Sequence, residues 1–196
     1  LLDSKANNFL GAISNFDNSI SISWVDVSTG CFKSREFKKE NNKNIQKQLL
    51  TNLLLRMNFS EILISDTMEL DIISEEWLYI IKKQPSSLFH FSSCLEQICS
   101  YFSIISLDGI GRFSKGEIIA AGVLLSYLKL TQCGKIPIFT MIQNESENHF
   151  LEIDYFTQKS LEILTNLSGK TNGSLLFAID ETKTACGARL LKQRIT

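Results

Sequence analysis

The hydrophobic rhythm of this chain changes partway along it. Over the first forty residues apolar positions come in short runs or at every second place. Asn8 to Ser14 is a brief apolar run, Ile20, Ile22 and Trp24 alternate with Ser21 and Ser23, and Cys31 to Phe37 follows Ser28-Thr29-Gly30. A period of two puts successive side chains on opposite faces of a strand, so three strands are predicted, the first turn falling at Asn15-Phe16-Asp17-Asn18. Links this short favour an antiparallel meander. The rhythm then becomes helical: Ile45, Leu49, Leu50, Leu53, Leu54 and Met57 share one face, with Lys43, Lys47 and Arg56 off it. Glu61 to Ser65 returns as a compact fourth strand.

Later segments are predicted as follows. Residues 69–82 read as a helix centred on Trp77, Leu78, Ile80 and Ile81, ended by Pro85. Leu88 to Phe91 reads as a strand, and Cys94 to Phe102 as a helix capped by Ser92 or Ser93, with Glu96 in its first turn. Leu107 to Gly111 is a loop or short strand, and Lys115 to Leu130 a helix apolar almost all round, hence deeply buried. Residues 131–149 are polar and rich in turn formers, which places a domain junction near 150. Only helical signals follow. Asp154 is a cap, Ile153, Phe156, Ser160, Leu164 and Leu167 form a face, Gly169 is a left-handed terminator, and Leu175–Ile179 and Ala185–Ile195 are further helices. The expected organisation is an α/β domain over 1–149, with a mixed sheet and flanking helices, followed by an all-α segment over 150–196. Three antiparallel strands joined through a helix to a fourth is how a ribonuclease-H-like fold opens.

Composition narrows the chemistry. The 196 residues carry 20 basic and 21 acidic side chains, a net charge of −1, so no global positive field is available to hold phosphates. Cys31, Cys94, Cys99, Cys133 and Cys186 are odd in number and lack a Cys-x-x-Cys spacing, which points to free, mostly buried thiols in a reducing cytoplasm. His90 and His149 are the only histidines. The longest apolar run, Ile118 to Leu128, is far shorter than the roughly 20 residues that span a bilayer. There is no initiator Met, and the final residues read as the inside of a helix, as in a piece of a longer protein.

Asp26 is the strongest catalytic candidate: it stands at the end of the second strand, just before Ser-Thr-Gly, and ribonuclease-H-like nucleases place a metal-binding aspartate on the first strand. A two-metal site needs several converging carboxylates, and Glu36, Asp66 and Asp108 are available without a recognisable spacing. The alternative is that Asp26 caps the Ser28–Gly30 turn. Gly109, Gly111 and Gly116 do not make a phosphate loop, because Glu117 and Ile118 stand where Lys and Ser or Thr are needed. Lys38-Lys39-Glu40-Asn41-Asn42-Lys43 reads as a solvated loop. Arg189, Lys192 and Arg194 are candidates for a basic DNA-binding stripe, and Leu95, Glu96, Gln97 and Ile98 for a partner-docking edge.

An ordered set of fragments carries a resemblance. Asn7-Asn8-Phe9 with Ala12-Ile13 leads to Asp26-Val27-Ser28-Thr29-Gly30. Then come Phe113, Ala120-Ala121-Gly122, Leu124-Leu125-x-Tyr127 and Thr131-Gln132. Last are Asp154, Leu161-Glu162-Ile163, Ser174-Leu175-Leu176 and Asp180-x-Thr182-x-Thr184, with Gly187-x-Arg189-Leu190-Leu191. In this order and nearly end to end, they resemble the middle of the MutS family of mismatch-repair proteins. Cys186 stands where many members have Met, and as a soft apolar group it is expected to fill the same buried pocket. The resemblance implies that 1–149 is a connector domain, ribonuclease-H-like and without nuclease activity, and that 150–196 begins the helical core or lever domain. It implies no catalytic, metal or cofactor residue in this stretch, ATP and Mg belonging elsewhere in the longer protein. It implies MutL, mismatched duplex DNA, other MutS domains and a second MutS subunit as partners, in the cytoplasm at the nucleoid.

Overall fold

The computed structural model describes residues 9–38, 43–57, 59–69, 71, 73, 75–107, 111–132, 137–145, 153 and 155–195. By internal contacts the chain divides into two compact units, Asn8–Asn148 and a second one that includes His149–Thr196.

The first unit is built on one mixed sheet. Strand β1 (Phe9–Phe16) pairs antiparallel with β2 (Ser19–Asp26) through a two-residue turn in which Asp17 and Asn18 both take positive φ, 52° and 61°. Asp and Asn tolerate that region, and such a turn matches the twist of the strands it joins. Strand β3 (Cys31–Phe37) continues the meander antiparallel to β2. Helix α1 (Lys43–Met57) crosses back, and β4 (Glu61–Ser65) lies parallel to β1 on its other side. Residues 81–84 are a strand, β5 (Ile81–Gln84), parallel to β4, and not the end of a helix; a 3-10 turn, Glu75–Ile80, precedes it. A parallel partner beside Ile62–Ser65 outweighs weak helical periodicity at four residues. A second 3-10 turn, Ser86–Phe89, replaces the predicted strand, and α2 (Phe91–Phe102) starts three residues early with no side-chain cap. Helix α3 (Lys115–Thr131) is followed by a two-residue strand, β6 (Gln143–Asn144), parallel to β3. The order across the sheet is β5-β4-β1-β2-β3-β6.

Alternation along the strands sends each face into its own core. Phe9, Ile13, Ile20, Ile22, Trp24, Ile62 and Ile64 pack with Leu50, Leu53 and Leu54 of α1. Leu10, Ala12, Val25, Phe32 and Leu63 pack with α2 and α3. Each aliphatic side chain so buried contributes roughly 1.5–3 kcal/mol. Ile45, predicted on the buried face of α1, is exposed, and Gln46 is buried in its stead, its amide donating to the carbonyls of Asn18 and Phe37.

The second unit contains α4 (Tyr155–Ser160), α5 (Leu175–Ile179) and α6 (Ala185–Ile195). The long helical face predicted through Leu167 does not form. Helix α4 stops at Ser160, Glu162 takes φ 50°, and Leu175 N–H and Leu176 N–H donate to the carbonyls of Glu162 and Ile163. Gly169 does take a positive φ, 77°, but in a turn with Asn166, away from a helix end. Ser174 and Thr184 side chains accept from Phe177 N–H and Gly187 N–H, capping α5 and opening α6. Ile163 and Ala188 are buried, whereas Phe156, Leu161, Leu167, Leu175, Phe177, Ile179 and Leu190 are exposed. Asp154 lies outside the described residues, as do Asn7, Asn8, Lys39–Asn42, Asp108, Gly109, Cys133 and His149.

Candidate functional site

Asp26 ends β2 and is 1% exposed. Its carboxylate accepts from Ser28 N–H at 2.9 Å, Ser28 Oγ–H at 2.6 Å and Thr29 Oγ1–H at 2.9 Å, while its carbonyl accepts from Gly30 N–H. Gly30 closes the turn at φ 75°, where a Cβ would lie 2.7 Å from the carbonyl oxygen of Ile138. The side chain therefore shapes a turn. Two of its candidate metal partners stand elsewhere, and the third, Asp108, lies outside the described residues. Asp26 is opposite Phe9 at the start of β1, whereas Glu36 is opposite Ser21, which is itself opposite Ser14 near the end of β1. Asp66 follows β4 at that far end and accepts from Ser86 N–H. At about 3.4 Å per residue, five residues of β3 put Glu36 roughly 17 Å from the level of Asp26. Among the described residues no cluster of three or more His, Cys, Asp or Glu is placed to hold a metal ion. Asp26→Asn should cost about 1–3 kcal/mol through the turn, measured by urea denaturation.

The functional group that sequence reasoning passed over is Glu117. Ser114 and Glu117 form a capping box at the start of α3: Ser114 Oγ accepts from Glu117 N–H, and Glu117 Oε2 accepts from Ser114 N–H at 2.8 Å. The Ser-x-x-Glu spacing ahead of an apolar run was the available signal. Glu117 Oε1 also accepts from Ser34 Oγ–H at 2.8 Å and Asn144 Nδ2–H at 3.1 Å, so one buried carboxylate joins α3, β3 and β6. Around it, Ser14 and Ser23 donate to the carbonyls of Gly116 and Glu117. Gly116 is needed there because a Cβ would meet Ser21 Oγ at 2.4 Å. Packing against the sheet, not phosphate, explains that glycine.

Burial pushes the Glu117 carboxyl above its ordinary 4.5, with Glu36 adding repulsion and the hydrogen bonds from Ser114 and Ser34 opposing. A raised carboxyl stabilises the fold in its protonated form. That contribution is complete below about pH 4.5 and is lost as the pH rises through the folded value. Glu117→Gln removes the titration. Its unfolding free energy relative to the parent chain should therefore improve between about pH 5 and about pH 7.5, measured by urea denaturation at both.

Helix α2 presents the proposed docking edge unevenly. Glu96 is exposed, Leu95 and Gln97 are half-buried, and Ile98 is fully buried in the core. Ile98 offers nothing to a partner, so the accessible edge is Leu95, Glu96 and Gln97. Cys94, one turn before Ile98, is buried and its thiol is pushed up to about 11, so it stays protonated at neutral pH. Among the described cysteines Cys31 and Cys99 are half-buried and Cys186 is exposed. The expectation that Cys186 fills a buried pocket is therefore wrong: it lies on the surface of α6, where Arg189 Nη2–H donates to its sulfur at 3.3 Å.

The basic residues of α6 do not make one stripe. At about 100° per residue, Arg189 and Lys192 share a side, while Arg194 lies roughly 200° from Lys192. Lys192 and Arg194 are exposed and Arg189 is half-buried.

Two family models match this arrangement in succession: MutS domain II over residues 8–139 and MutS domain III over residues 156–196. The chain belongs to the MutS family. Among relatives named DNA mismatch repair protein MutS, that of Paracoccus denitrificans (strain Pd 1222) is 35% identical over 196 residues, covering 100% of this chain and 21% of the relative. The protein of Ruegeria sp. (strain TM1040) is 33% identical, with 100% and 22% covered. That of Ehrlichia chaffeensis (strain ATCC CRL-10679 / Arkansas) is 36% identical, with 98% and 24% covered. The chain thus spans about a fifth of the length of these relatives and is similar to a fragment of a DNA mismatch repair protein. No helix among the described residues is long and apolar enough to cross a membrane.

Proposed function

We propose that this stretch is a non-catalytic connector with the start of a helical core or lever domain, coupling the recognition of mismatched DNA to ATP hydrolysis elsewhere in the longer protein. One observation carries the reading: consecutive matches to MutS domains II and III cover most of the chain, while Asp26, its best catalytic candidate, is engaged in a turn away from Glu36 and Asp66. The boundary falls near 149. The order β3-β2-β1-β4-β5, with β2 antiparallel to both neighbours and β4 and β5 parallel to β1, supports a ribonuclease-H-like connector. The exposed apolar side chains of α4, α5 and α6 support a helical domain that further chain completes. In the whole protein, which works in the cytoplasm on mismatched duplex DNA, ATP and Mg act outside this stretch, and a second MutS subunit and MutL are partners.

Docking of MutL falls to Leu95, Glu96 and Gln97 on α2. Glu96→Arg reverses an exposed charge away from the core and should weaken MutL binding about tenfold while leaving the urea midpoint unchanged. An unchanged affinity removes α2 from the interface. The rival, a metal-dependent nuclease using Asp26, predicts cleavage of branched or hybrid substrates in Mg²⁺ or Mn²⁺, abolished by Asp26→Asn. The expected result is no cleavage in either metal.

A further inference from the structure

Strand β6 is the smallest element of the sheet, yet it is fastened on both faces. It has two ladder positions, Gln143 and Asn144 beside Lys33 and Ser34, against eight between β1 and β2. The segment leading to it runs along the outer edge of β3. Thr140 N–H donates to Gly30 O at 2.7 Å and Glu145 N–H to Ser34 O at 2.8 Å, so it is held to the backbone at both ends. Tyr101 of α2 grips its beginning, its hydroxyl bonded to Pro137 O and to Phe139 N–H, and Phe139 and Ile142 enter the core.

Neighbouring side chains then fasten its end to opposite sides of the sheet. Asn144 donates to Glu117 at the start of α3. Glu145 reaches the other side, its Oε2 3.2 Å from Arg56 of α1 and its Oε1 3.5 Å from Lys33. Polar fastenings of this kind, at the edge of a sheet, can exchange for water, and the apolar cost of release is confined to Phe139 and Ile142 leaving one core. The remaining order β5-β4-β1-β2-β3 keeps all its own pairings without β6.

We propose that residues 137–145 are a strap that leaves and rejoins the outer edge of β3 as one cooperative unit while the other five strands stay paired. Strap release frees nine residues, up to about 30 Å of chain at their extended reach. Carboxylates Glu117 and Glu145 fasten its end and Tyr101 its beginning, and together they set how often this happens. The device stands apart from the docking reading and survives if MutL binds elsewhere or not at all.

Amide hydrogen exchange on the 196-residue chain, resolved by residue, tests it. The Thr140 and Glu145 amides should exchange at one common rate, at least about 100-fold faster than the slowest amides of the β1–β2 ladder. Glu145→Gln weakens the ion pairs at one end only. It should speed both amides by the same factor, about fivefold, and leave the β1–β2 ladder unchanged. Asn144→Ala, which removes the side-chain contact to Glu117, should do the same. Strap amides that share the β1–β2 rate, or a Glu145→Gln variant in which Glu145 responds and Thr140 does not, would overturn the proposal.

Discussion

Gly122→Ala should lower the stability of this chain by about 3 kcal/mol, the upper end of what one inserted methyl usually costs. Gly122 lies in α3 where α2 crosses it. A Cβ there would stand 2.4 Å from Cys94 Cβ, 2.5 Å from Cys94 Cα and 2.8 Å from Cys94 O. Contacts that short are met only by moving something, and two of the three atoms are backbone. A flexible side chain could swing aside, but here helix α2 itself must shift. Both helices belong to the core on one face of the sheet, so the shift propagates to Val25, Phe32 and Leu63. The measurement is urea denaturation of the variant and the parent. The double variant Cys94→Ala, Gly122→Ala is an internal check: trimming Cys94 removes its sulfur but neither Cβ nor Cα, so little stability should return. Substantial recovery would mean that the crossing is looser than the contacts indicate.

Phe32→Ala should cost about 3–5 kcal/mol, the usual loss for a buried aromatic ring. Phe32 is fully buried on β3, with its ring 6.3 Å from that of Phe102 on α2 and 5.9 Å from that of Phe139 in the strap. Its removal therefore withdraws support from three elements at once. Total stabilities of such domains run to about 5–15 kcal/mol, so this one truncation consumes a large fraction. The same urea series measures it. A loss below about 1 kcal/mol would show that the ring site collapses around the missing side chain.

How much of this was readable beforehand depended on whether local pattern or distant partners decided each element. Strands β1 to β4 and helix α1 announced themselves because alternation and helical periodicity extend over enough residues, and β3, β4, α5 and α6 run between the residues the pattern indicated. Strand β5 did not: four residues, two of them Lys, are too few to show a period, and only the neighbouring β4 makes them extended. Strand β6 is shorter still and polar, its identity resting on Ser34 and Glu117, 110 and 27 positions before Asn144, separations no local window joins. At the candidate site, the turn role of Asp26 was legible from Ser-Thr-Gly beside it. The role of Glu117 was legible in principle from Ser114, but the glycine spacing drew attention to phosphate loops instead. Burial of Ile98 and exposure of Cys186 depend on which way a helix faces, which the fragments alone did not fix.

The proposed role of the first unit is to dock a protein partner and to do no chemistry of its own. Its most direct test is a titration of the isotopically labelled chain with the N-terminal domain of MutL from the same organism, following backbone amide shifts, with duplex DNA as the control. Saturable shifts are expected before residue 149, centred on Leu95, Glu96 and Gln97, and none with DNA at about 50 mM salt, where nonspecific phosphate contacts would be strong. Shifts with DNA confined to Arg189, Lys192 and Arg194, and none with MutL, would contradict it and make α6 a nucleic-acid contact.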